Sequence, residues 1–163
     1  MDRAGLQTMV DQRQLERCEP DSGEARSRLN QAGTDLATVR ALLGTATPAN
    51  PKGACSLAWE ATLESLLGWL SLFGYRITSE RGHHAIAVRA VRALLDTREA
   101  SALLQRLDGL RRLRDNALYN NLPVDAEEVE AFLPDVATLT GWLEQAVAHL
   151  LPESGQRSPT SRA

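Results

Sequence analysis

From residue 54 to residue 73 the chain carries Leu57, Trp59, Leu63, Leu66, Leu67, Trp69, Leu70 and Phe73. At helical spacing these side chains surround most of the circumference of a single helix. A helix apolar on nearly every side belongs in the middle of a bundle, so the rest of the sequence must supply helices to cover it. Gly74 ends the segment. Its longest apolar stretch, SLLGWLSLFGY, is too short to span a membrane.

Covering helices are legible on both sides. Asp21, with Glu24 three residues on, forms a capping-box pattern. Leu29, Leu36, Val39, Leu42 and Leu43 follow at helical spacing up to Gly44. TATPANPKG then reads as a loop. After the connector YRITSERG a further helix opens at HHAIAVRAVRALL, with Ile86, Ala90, Val91, Leu94 and Leu95 on one side. Residues 99–120 form another. Asp125 with Glu128 caps a last helix running toward Leu151, which Pro134 should kink or split near Phe132. No stretch alternates long enough to read as a sheet. The expectation is an all-α, up-and-down bundle of about five helices over residues 21–151. A sparse, weakly helical segment, 1–20, precedes it, and a disordered tail, 152–163, follows.

Length and charge narrow the function. A chain of 163 residues buries about two-thirds of its unfolded surface, so no disulfide or metal staple is required. Cys18 and Cys55 fall in no metal-binding or framework pattern. The net charge of -3 gives no global attraction for nucleic acid or anionic membrane, although a local basic patch is compatible with it. Among the basic residues only Lys52 is lysine. Arginine suits bidentate contacts to phosphate, but codon bias accounts for the same preference. The N-terminus MDRAGLQTMVDQRQ carries charge where a signal peptide needs its apolar core. The expectation is a cytoplasmic protein with no cofactor and no metal.

One residue breaks the pattern. With Leu107 at the centre of the apolar stripe of helix 99–120, Leu103, Leu110, Ala117 and Leu118 fall on the same side, and so does Arg114. Burying a lone guanidinium costs several kcal/mol or more. Arg114 must therefore snorkel to the edge, meet a carboxylate inside the bundle, or line a cleft or subunit interface. Arg111 and Arg112 lie further round, on what reads as a solvated face.

The run RDNALY, Arg114 to Tyr119, resembles the signature of the HEPN superfamily: arginine, a polar residue, three variable positions, then histidine. Tyr119 stands here at the histidine position. The combination of FGYRITSERGHHAIAV and RDNALYN is similar in order and spacing to a bacterial branch of that superfamily, over residues 54–150. The resemblance implies a compact helical homodimer with an RNA-related role, RNA binding or weak cleavage, in a toxin-antitoxin or defence setting. It implies a site at the dimer interface built from Arg114 and Tyr119, with Arg111, Arg112, Asp115 and Asn116 contacting nucleic acid. In catalytic relatives arginine stabilises charge developing on phosphorus, while histidine exchanges protons near neutral pH. Tyrosine, with a pKa near 10, donates a hydrogen bond but is a poor base.

His83 and His84 are the candidates to fill that gap. Being adjacent, they point about 100° apart on a helix and are not expected to share one site. They open a helix, where exposed N–H groups suit a phosphate and the dipole disfavours added positive charge. The plainer reading has one histidine packed on the preceding turn and the other in water. Trp59, Trp69 and Trp142 read as core or interface anchors, and His149 as a partner for a helix C-terminus. Two functional readings remain: an RNA-binding homodimer of HEPN type, or a non-catalytic module that associates with a protein such as an antitoxin. A bundle sharing only composition with the family is a third.

Overall fold

The computed structural model describes residues 1–44, 50–78 and 82–150. The chain order is α1 (Arg3–Asp11), β1 (Leu15–Arg17), α2 (Ser22–Gly44), α3 (Pro51–Leu72), β2 (Tyr75–Ile77), α4 (His83–Leu95), α5 (Arg98–Tyr119), α6 (Ala126–Glu130) and α7 (Leu133–Leu150). The protein is all-α but for one small two-stranded sheet. The first half of the expected 45–53 loop and the tail 152–163 lie outside the described residues.

α3 is the central helix that its sequence demands. It packs against α2, α4, α5, α6, α7 and β2, and Trp59, Leu66 and Leu70 are buried within it. Its buried hydroxyls are satisfied locally, whereas the Trp69 indole Nε1 is buried with no partner among the described residues. Thr62 and Ser65 donate to the carbonyls of Ala58 and Ala61, and the Ser65 hydroxyl lies 2.9 Å from that of Thr140 on α7. The helix begins three residues before the expected start. The Asn50 side chain accepts the Gly53 N–H at 2.9 Å and Pro51 occupies the first turn, the arrangement in which proline loses no helical hydrogen bond.

Two other helix starts follow their capping residues. The Asp21 carboxylate accepts the Glu24 N–H at 2.8 Å, though Glu24 pairs with Arg28 rather than reaching back. The Glu128 carboxylate accepts the Asp125 N–H at 3.0 Å. Pro134 splits the last segment, as its ring requires: α6 ends at Glu130 and α7 restarts at Leu133. Gly109 lies against Phe132 in the intervening turn, where an added Cβ would sit 3.3 Å from the ring.

The N-terminal segment departs from expectation. Instead of one weak helix it forms α1, a left-handed turn at Arg13 and the strand β1. β1 runs antiparallel to β2, pairing Leu15 with Ile77, Glu16 with Arg76 and Arg17 with Tyr75. Three of its apolar residues, Leu6, Met9 and Leu15, are buried in the common core, while Met1 stays exposed. Leu118 is the other exception. It lies on the expected core stripe but is 40% exposed, in the last turn of α5.

Candidate functional site

The C-terminal half of α5 passes the N-terminus of α4, and between them lies an open cavity of about 250 Å³. His83, His84, Arg111, Arg114, Asp115 and Tyr119 line it, with Gly82 and Ala85. Six of the eight residues singled out from sequence thus meet at one place. The other two do not join them. Arg112 points to solvent and pairs with Asp108 at 2.8 Å, and Asn116 accepts a hydrogen bond from the Asn120 side chain.

Arg114 resolves its conflict with the apolar stripe by reaching the cavity edge. Its side chain is 14% exposed. One guanidinium nitrogen donates to Asp115 at 3.2 Å, and another stands 3.6 Å from Glu60 of α3, an ion pair too long for a hydrogen bond. Its Nε is buried without a partner among the described residues. A guanidinium has five N–H donors, so Arg114 is held in place yet poorly satisfied.

Arg111 is not on a solvated face, as its position on the helical wheel suggested. It is half-buried and donates to Asp108 at 2.7 Å and to Asp115 at 2.9 Å. The i−3 and i+4 spacings place both acids beside it on α5. Burial would raise the Asp108 carboxyl, but hydrogen bonds from Arg111 and Arg112 outweigh it and hold that group below the usual carboxylate range. Asp115 joins Arg111 to Arg114, so the two guanidiniums are held side by side by one carboxylate.

The histidines also depart from expectation, since both line the cavity, with ring centroids 4.3 Å apart. They occupy the first turn of α4, after Gly82 in the left-handed region at φ 71. The 100° separation of their Cα–Cβ bonds is closed by the reach of the rings. The Trp59 indole donates to His84 Nδ1 at 3.2 Å. An indole only donates, so this ring nitrogen must be unprotonated. The His84 pKa is lowered to about 4, first by burial, then by His83 and Arg114, against a small opposing effect of Asp115. At neutral pH His84 is therefore an uncharged imidazole with its proton on Nε2. It is a hydrogen-bond donor here, with its basic nitrogen already taken. His83 makes no side-chain hydrogen bond to a described residue and packs edge-on against His84.

Tyr119 stands at the rim, 77% exposed. Beside it Leu118 and Leu122 are 40% and 51% exposed, giving the end of α5 an uncovered apolar surface. Behind the cavity Cys55 is buried, and its thiol is pushed up to about 11 by burial, partly offset by Arg114. At neutral pH it is therefore held as the thiol rather than the thiolate. Among the described residues no three His, Cys, Asp or Glu side chains gather as metal ligands would. No described helix is long and apolar enough to cross a membrane.

Sequence reasoning missed Glu60 and the role of Trp59. Glu60 had a signal: together with Glu64 it is an acid in the most apolar helix, and each has an arginine, Arg114 for Glu60 and Arg28 for Glu64. Trp59 had none, because its indole hydrogen bond crosses from α3 to α4. Among known proteins the chain matches no family model, no curated sequence and no solved structure.

Proposed function

We propose that this chain is a HEPN-like RNA-binding protein acting as a homodimer, with the α4–α5 cavity as its contact to the RNA backbone. The observation that carries the reading is the meeting of Arg111, Arg114, His83 and His84 at a helix N-terminus. Arg114 supplies unsatisfied donors, His84 a neutral N–H and the first turn of α4 its backbone amides, a donor set suited to phosphate. Asp115 and Asp108 balance the guanidinium charge, which makes the contact a weak, positional one. Of the two cavity histidines, His84 already uses Nδ1 on Trp59, so cleavage, where it occurs, would draw on His83 for proton transfer.

The exposed Leu118, Tyr119 and Leu122 favour a second reading, association with a protein through the end of α5. A homodimer would use the same surface and bring two cavities together.

The test is binding and cleavage of a mixed RNA pool by wild type, Arg114→Ala and Arg112→Ala, with mass in solution measured for each. The expected result is a loss of about tenfold in affinity for Arg114→Ala in a protein of unchanged mass. Arg112, outside the cavity, should matter only slightly and through salt-sensitive attraction. RNA affinity equal in all three proteins, or absent in wild type, would leave the protein-association reading.

A further inference from the structure

A second and larger hollow lies on the other side of His83. It is a cleft of about 710 Å³ between the first turns of α2 and the strand β2. Leu67, Leu70 and Ser71 of α3 form its floor, Asp21, Glu24 and Arg28 one wall, and Tyr75 to Thr78 the other. Four consecutive residues of both side-chain directions line that second wall, which is what a strand edge presents and a sheet face does not.

The register shows what the edge offers. The Cys18 N–H donates to Gly74, and the Thr78 N–H to Gln14. Glu16 and Arg76, midway between these pairs, are therefore the hydrogen-bonded pair of the ladder. By the alternation of an antiparallel ladder, the N–H and C=O groups of Tyr75 and Ile77 turn away from β1. Neither residue has a backbone partner on that side among the described residues. Such an edge is a template for a further strand, and four residues of it extend about 13 Å.

Charge selects the occupant. Arg28 is already paired with Glu24 and Glu64, and Arg76 with Glu16. Among the described residues the cleft itself is lined by three carboxylates, Glu19, Asp21 and Glu24, and by those two guanidiniums. With each arginine already paired, Glu19 and Asp21 are left without a cationic partner among the described residues. We infer that the cleft takes an extended basic segment of a partner protein, which pairs with Tyr75 and Ile77 as a third strand. Its alternate side chains are apolar, against Leu67 and Leu70, and basic, toward Glu19 and Asp21. Affinity comes from main-chain bonds and selectivity from the side chains, as in other strand additions.

The probe is a fluorescent hexapeptide of alternating valine and lysine, titrated with the full chain by anisotropy. Two N-methylated forms are compared, each blocking one alternate set of backbone amides. One form should lose about tenfold or more in affinity and the other should bind as the parent, because only one set can face β2. On the protein side, Ile77→Pro removes an outward N–H without removing a ladder bond to β1, with Ile77→Ala as the control for its core-packed side chain, and Glu19→Arg reverses an exposed charge. Ile77→Pro and Glu19→Arg should each weaken binding about tenfold, with circular dichroism unchanged. Equal binding of both methylated forms overturns the proposal, as does no binding up to about 1 mM. So does self-association of the wild type that Ile77→Pro abolishes while the peptide fails to bind, because the strand would then come from a second copy.

Discussion

His84 and Arg114 are each tied to a residue on another helix, and this makes their properties measurable. His84 titrates at 6.5 when unfolded and at about 4 in the fold. Between those values the unfolded chain holds the extra proton, so stability rises with pH there. The stabilisation is complete above pH 6.5 and is lost as the pH falls toward 4. His84→Gln, which keeps an acceptor for Trp59, should lack this dependence. Its stability relative to wild type should therefore improve as the pH is lowered through that window in urea titrations; a constant difference would refute the assignment. Arg114→Ala should move the His84 titration upward, read from its ring NMR signals, because a nearby positive charge has been removed. The same variant should cost only about 1 kcal/mol, since its partners are partly exposed. At this scale the sequence was half legible. That Arg114 had to leave the apolar stripe followed from desolvation alone. That it would stop at Glu60 did not, because helical periodicity says nothing of which helix lies opposite.

Among the elements, α3 and the turn after it fix where everything else goes. Gly74 turns the chain from α3 into β2 at φ +73, and a Cβ there would stand 2.6 Å from the Cys18 carbonyl oxygen. Gly74→Ala combines left-handed strain with a backbone clash and should cost about 2–4 kcal/mol in chemical denaturation. Asn50→Ala, which removes the cap of α3, should cost about 1 kcal/mol. The sequence announced both positions, but only the glycine was legible as a terminator. Asn50–Pro51 looked like loop punctuation, although the same pair is a cap followed by a first-turn proline. The two strands were invisible for a different reason. Three residues hold too little alternation to stand out from a helical background, and their pairing, Leu15 to Ile77, joins segments about sixty residues apart.

The whole molecule is a central apolar helix wrapped by others, and its apolar cover is incomplete at the end of α5, where Leu118, Tyr119 and Leu122 are exposed. If that patch is the homodimer surface, Leu122→Glu should shift sedimentation from dimer to monomer while helicity is kept. A wild type already monomeric at high concentration would exclude it. Composition could announce a bundle of this kind, since a helix apolar all round needs neighbours. It could not announce the openings between them, which depend on how far each helix overruns the next.

His83 is a partition with a hollow on each side. His83 lines both hollows, so if a guest in one selects a rotamer of this ring, the other hollow is presented with the same rotamer. Thermodynamic linkage then makes the effect reciprocal. If the proposed peptide and RNA both bind, the factor by which bound peptide changes the affinity for RNA must equal the factor by which bound RNA changes the affinity for peptide. Replacing His83 with alanine should bring both factors to one together.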